Sequence, residues 1–157
     1  MRKLFCNRDI NISLRIRMLR CYIFSTLLYG VEAWTLKNSN IKNLEAFEMW
    51  CYRRILKISW MDRKTNEQVL EQLGKQCEVL NSIKIRKLKY LGHIMRGEKY
   101  EILRNIMQGK IKGKRSVARR KISWLRNLRE WFGCSSIELF RRVTNKIIIA
   151  RMISNLR

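Results

Sequence analysis

The stretch Thr65–Gly97, TNEQVLEQLGKQCEVLNSIKIRKLKYLGHIMRG, contains two successive helix signatures. Thr65 and Gln68 have capping-box spacing, in which hydroxyl and side-chain carbonyl each cover a free amide at the helix start. A short helix opens there and stops at Gly74, since glycine most easily takes the left-handed turn that ends a helix. A longer helix follows from about Glu78 to Arg96 and is stopped by Gly97. Leu80, Ile83, Leu88, Leu91, Ile94 and Met95 share one broad side of it. Arg86, Lys89, His93 and Arg96 share the other as a cationic ridge.

Upstream, Ile12, Ile16, Leu19, Ile23 and Leu27 recur at helical spacing, which predicts a helix from Asn11 to about Leu36. Arg15, Arg17 and Arg20 decorate its first half. Its second half is apolar nearly all round, so enclosure by other helices is expected, with Gly30 at a close crossing or kink. A second helix is expected to start near Ser39 or Asn40. Its buried face is Ile41, Leu44, Phe47, Cys51, Ile55 and Ile58, with Trp50, Arg53 and Lys57 opposite. Ser59–Lys64 breaks the pattern as a loop.

Downstream, a helix over Lys99–Gln108 ends at Gly109. Another starts at the cap Ser123, carries Trp124, Leu128 and Trp131, and stops at Gly133. Ser135 and Glu138 form a further capping box, opening a last helix with Ile137, Phe140, Val143, Ile147 and Ala150 inward. No strand pattern competes. The expected fold is all-α: one domain over residues 1–157, a bundle of about six or seven helices with a basic loop between the last ones. Residues 1–75 and 76–157 would form its two parts.

Composition agrees. Proline is absent from all 157 residues, and hydrophobic content of 46% argues against general disorder. Cys6, Cys21, Cys51, Cys77 and Cys134 are odd in number and widely spread, unlike a disulfide framework or a zinc knuckle. They suit reduced thiols inside a cell, in nucleus or cytoplasm. The N-terminus is too interrupted by charge for a signal peptide. The uncharged run Cys21–Val31 is well short of the roughly 20 residues of a membrane span.

Lys and Arg number 35 against 12 Asp and Glu, a formal charge of +23 that calls for polyanionic company. The densest run is GKIKGKRSVARRKISWLRNL, Gly109–Leu128. Between Lys110 and Lys121 it holds seven cations and no acid: Lys110, Lys112, Lys114, Arg115, Arg119, Arg120 and Lys121. Such a loop fits a phosphate backbone, since each contact releases condensed counterions. Arg86, Lys89, Arg96, Arg53 and Lys57 extend the candidate surface. Trp50, Trp60, Trp124 and Trp131 are candidates for stacking unpaired bases. Trp60, in the loop beside Arg63 and Lys64, ranks first, because the helical spacing of Trp124 and Trp131 suits a core. The expected partner is the backbone of RNA and DNA.

Four strings in order carry a resemblance: LLYGVEAWTL (Leu27–Leu36), LEAFEMWCYRRILKISWMDRKTNEQVL (Leu44–Leu70), RKLKYLGHIMR (Arg86–Arg96) and GKIKGKRSVARRKISWLRNLREW (Gly109–Trp131). They resemble the C-terminal end of reverse transcriptases of non-LTR (LINE-type) retrotransposons, over roughly Ser13–Arg157. The resemblance implies a thumb and post-thumb region that holds RNA template and DNA primer beyond the polymerase palm. It places Tyr29, Gly30 and Trp34 in the thumb's opening helix. It also implies a palm domain as partner and the nucleus as the place of action. Ser116-Val117-Ala118 departs from the family's usual alternation of Gly and Arg.

A polymerase palm needs clustered carboxylates to hold two metals. The family's Tyr-x-Asp-Asp string is absent, and the only aspartates are Asp9 and Asp62. No endonuclease domain is recognisable. A fragment without chemistry of its own, and without metal or cofactor, is therefore expected. His93 lacks nearby partners for catalysis. Although Asp62, Glu67 and Glu71 lie close together, the i, i+4 spacing of Glu67 and Glu71 and the capping role of Gln68 explain that segment without a metal. The alternative is a cationic amphipathic membrane-surface or protein-interaction domain. A stand-alone nuclease is a weaker third. If the core evolved to pack on a palm, the apolar stretch Tyr22–Trp34 would be left exposed for self-association.

Overall fold

The structure is a computed structural model describing residues 7, 9–111 and 123–156. It is all-α, with no strand among the described residues. The helices are α1 (Ile12–Met18), α2 (Asn38–Leu56), α3 (Asn66–Leu73), α4 (Val79–Arg96), α5 (Glu101–Gln108), α6 (Trp124–Phe132), α7 (Ser136–Thr144) and α8 (Lys146–Ser154). Two compact units form. One holds the described residues up to Val31 with Lys37–Ser82; the other holds Glu32–Leu36 with those from Ile83 on.

In the first unit, α1 runs into a π-helical turn, Leu19–Phe24, and a last turn, Ser25–Leu27. The wider turn moves the apolar stripe by one residue. Burial passes from Ile16 and Leu19 to Phe24, Leu28 and Val31 rather than to Ile23 and Leu27, which are only half-buried. The expected helix to Leu36 therefore ends early. Gly30 follows it in the left-handed conformation at φ 64°, with open space around it, so it is a stop and not a crossing. Tyr29 and Trp34 lie beyond the helix. Tyr22 and Tyr29 point to solvent, so the segment is not enclosed.

Arg15 turns inward and donates to the carbonyl of Ile55 at 2.7 Å, near the end of α2. Helix α2 starts at Asn38, after Lys37, slightly before the expected caps. Cys51 and Ile55 are buried as expected, but Met49, Tyr52 and Glu48 join them while Ile41, Leu44, Phe47 and Ile58 stay half-buried. Glu48 is fully buried. It accepts from the amides of Glu78 and Val79 at 2.7 and 3.2 Å and from the Tyr52 hydroxyl at 2.9 Å. It thus serves as the start cap of α4 from another helix. Arg20 adds a two-point ion pair with Glu78. The Thr65–Gln68 box and the left-handed Gly74 bound α3 as read.

The second unit's core gathers Leu88, Leu91 and Met95 of α4 with Leu128, Cys134, Leu139, Val143, Ile149 and Ile153. The expected last helix is two. Asn145 breaks the chain with φ −91° and ψ 118°, and its side chain caps the amide of Ile147. Two helices present different faces from one, so Ile137 and Ile147 are exposed, as is Ala150, and Leu139, Ile149 and Ile153 are buried instead. Ser135 caps α7, but Glu138 pairs with Arg142 and the reciprocal half of the box is not seen.

The segment Glu32–Leu36 is held to this unit by its backbone. Asn127 accepts from the Leu36 amide at 2.9 Å and donates to the Leu36 carbonyl at 2.8 Å. The Trp124 indole donates to the Glu32 carbonyl at 2.7 Å. Removing a buried partner of this kind strands polar groups away from water. Glu48→Ala and Asn127→Ala are each expected to cost about 2–4 kcal/mol in urea unfolding, against under about 0.5 kcal/mol for the exposed Glu67→Ala. Equal effects at all three sites would contradict this assignment.

Candidate nucleic-acid interface

Where α2 ends, the chain builds a groove of about 920 Å³. Trp50, Arg53 and Arg54, one helical turn apart, make one wall; Ser59, Trp60, Arg63 and Lys64 from the next turn make the other. Lys57 ends the helix in the left-handed region at φ 56°. A tight helical turn, Trp60–Asp62, then forms because Ser59 and Asp62 cap each other: the Asp62 carboxylate accepts the Ser59 amide at 2.7 Å, and the Ser59 hydroxyl accepts the Met61 amide at 3.3 Å. Arg63 leaves it left-handed at φ 45°. Arg53 fastens the turn back to α2 by donating to the Lys64 carbonyl at 3.2 Å and to Asn66 at 2.7 Å.

This turn holds Trp60 almost fully in solvent, 94% exposed. Trp50, 53% exposed, is stacked against Phe47 with centroids 6.1 Å apart, and Arg54 lies 5.0 Å over its ring. Among the described residues the lining has four cations and no acid, because the neighbouring Asp62 carboxylate faces the Ser59 amide. A cationic, aromatic-walled concavity can hold an anion next to a planar apolar ring.

Of the expected contact residues, Arg53 and Trp60 come together here. Lys57 is exposed next to the groove in sequence but does not line it. Arg54 was missed; its signal was the spacing of four from Trp50. In the second unit the ridge divides. Lys89 and His93 are exposed, with the His93 ring 5.1 Å from that of Tyr100. Arg86 lies 3.8 Å from Glu32. Arg96 donates to the Val143 carbonyl at 2.8 Å, tying down the end of α7. Lys110 is exposed after α5. Lys112, Lys114, Arg115, Arg119, Arg120 and Lys121 lie outside the described residues.

One cation on α4 turns inward. Lys87 is fully buried and donates to the Trp34 carbonyl at 2.5 Å, with its ammonium 4.8 Å over Trp124 and 5.6 Å over Trp131. Both indoles are thus engaged within the unit. No three His, Cys, Asp or Glu side chains gather into a metal-binding group among the described residues. Nor is any helix there long and apolar enough to cross a membrane. Set against protein-family models, curated proteins and solved structures, the chain matches none.

Burial lowers the Lys87 pKa from 10.5 to about 8. Between those values the unfolded chain binds more protons than the folded one, so this group makes stability rise with pH through that window. Burial pushes the Cys51 thiol up to about 11, and its contribution runs the opposite way. The difference between wild type and Lys87→Met therefore isolates the lysine. It is expected to grow in favour of the wild type between about pH 8 and 10 by up to about 3 kcal/mol in urea unfolding. Parallel stability curves would mean that the ammonium is not desolvated.

Proposed function

We propose that this chain binds the phosphate backbone of RNA and DNA without sequence readout. It would act as the thumb and post-thumb part of a non-LTR retrotransposon reverse transcriptase, holding template and primer while the palm does the chemistry. The observation that carries the reading is the groove at the end of α2, walled by Arg53, Arg54, Arg63 and Lys64 without an acid. The overall charge of +23 and the basic run Lys110–Lys121 point the same way.

That charge is what remains after all 12 acids are counted. Among the described residues Glu48 caps α4, Asp62 caps a turn, and Glu78, Glu130 and Glu138 pair with arginines. Compensation is then left to an external polyanion. On this reading the chain is not itself an enzyme, its partners are nucleic acid and a palm domain, and it works where the two meet, in nucleus or cytoplasm.

Binding of RNA hairpins and duplex DNA by fluorescence anisotropy is expected to fall linearly on logarithmic axes as salt rises from about 50 to 200 mM. Changing Lys114, Arg115, Arg119 and Arg120 together to Gln is expected to flatten that line by about three units. An unchanged slope would remove the loop from the interface. A folded chain that ignores both nucleic acids in dilute buffer would end the proposal.

A further inference from the structure

We infer that the groove at the end of α2 takes an unpaired nucleotide strand, with a base stacked on Trp60 and the flanking phosphates on Arg63 and Lys64. This rests on the nucleic-acid reading above and narrows it to single-stranded segments. Trp60 is the free platform: Arg54 lies over the Trp50 ring, and Trp124 and Trp131 flank the Lys87 ammonium. Among the described residues no ring or cation stacks on Trp60, which is 94% exposed, yet the turn that carries it is held by the Ser59–Asp62 caps and by the hydrogen bonds of Arg53. An indole at 94% exposure has no share in the core, so the fold gains little from keeping it there.

In a duplex the faces of the bases are already stacked on one another, and an exposed indole finds only their edges. An unpaired base offers a free face, and stacking on an aromatic side chain is sequence-tolerant. The occupant must also be anionic, since cations line the groove and no acid does. A vesicle surface is anionic too, and Met61 beside Trp60 gives the turn an apolar tip. A lipid surface is flat on this scale, however, and would leave the concavity behind Trp60 unfilled. A nucleotide strand can enter it.

The test compares the full chain with Trp60→Ala and Trp60→Phe on oligodeoxythymidine, on duplex DNA of equal length, and on phosphatidylserine vesicles. Because Trp60 is exposed, both variants are expected to melt like the wild type. Trp60→Ala is expected to weaken single-strand binding about fivefold or more, with duplex affinity within about twofold and the salt slope unchanged. Trp60→Phe should recover most of the loss. If single-strand and duplex affinity both stay unchanged while salt-dependent binding persists, stacking is overturned and the backbone reading stands. Equal losses on the two DNAs overturn the preference for unpaired strands. Loss confined to vesicles makes the turn a lipid contact and overturns the inference. If the wild type binds neither DNA, the broader reading falls with it.

Discussion

The carboxylate of Glu48 lies on the amides of Glu78 and Val79, and this buried anion sets where α4 begins. An ion removed from water is tolerable only with its hydrogen-bonding capacity filled. Here two helix-start amides and a tyrosine hydroxyl fill it. Desolvation still dominates and raises the carboxyl pKa, with the three hydrogen bonds pulling the other way. The same solution recurs with opposite sign. Arg15 covers the Ile55 carbonyl, Arg96 that of Val143, and Lys87 that of Trp34. A chain cut into short helices has many ends, and ends turned into a core need partners that water cannot supply. This protein draws those partners from its charged side chains.

That use of charge shapes the surface. Acids are few, and several are spent on caps and on arginine pairs, so the remaining cations face solvent with little to balance them. A cation used as a carbonyl cap has part of its hydrogen-bonding capacity committed within the fold. Sign alone therefore does not mark a contact residue. Arg53 shows the intermediate case: its guanidinium anchors the groove's turn while the residue still lines the groove. Arg96, in the other unit, is exposed and donates to the Val143 carbonyl at the end of α7.

Signals confined to a few neighbouring residues could be read directly. The Thr65–Gln68 box, the stops at Gly74, Gly109 and Gly133, and the length of the helix ending at Arg96 rest on chemistry within one turn. The misreadings came where a regular period was extrapolated. The π turn at Leu19–Phe24 adds a residue and shifts the stripe after it, although nothing in Leu-Arg-Cys-Tyr-Ile-Phe announces it. Asn145 split what looked like one helix, because its side chain can cap Ile147 more readily than continue the coil. Arg15 looked like surface, and nothing in the pattern singled out Lys87. Their burial follows from carbonyls far away in sequence, at Trp34 and Ile55, which no local pattern encodes. Of the groove, Trp60 with its cationic neighbours was visible. The wall formed by Trp50 and Arg54, towards the end of α2, had its signal in their spacing of four along that helix and was passed over.

The rigidity of that ending matters for what the groove can hold. Lys57 and Arg63 both adopt the left-handed region, at a cost of about 1 kcal/mol each for a residue with a side chain. Neither is glycine, so the strain must be offset locally by the Ser59–Asp62 caps and the Arg53 hydrogen bonds. A turn fixed in this way sets the backbone at Trp60 before any ligand arrives, which lowers the backbone's share of the ordering cost of binding. Salt-sensitive attraction along a basic surface acts at a distance and is indifferent to geometry. An indole platform acts only in contact and selects for a free base face. On the proposed reading, with both joined in one groove, the first would draw a strand in and the second would discriminate among the strands that come.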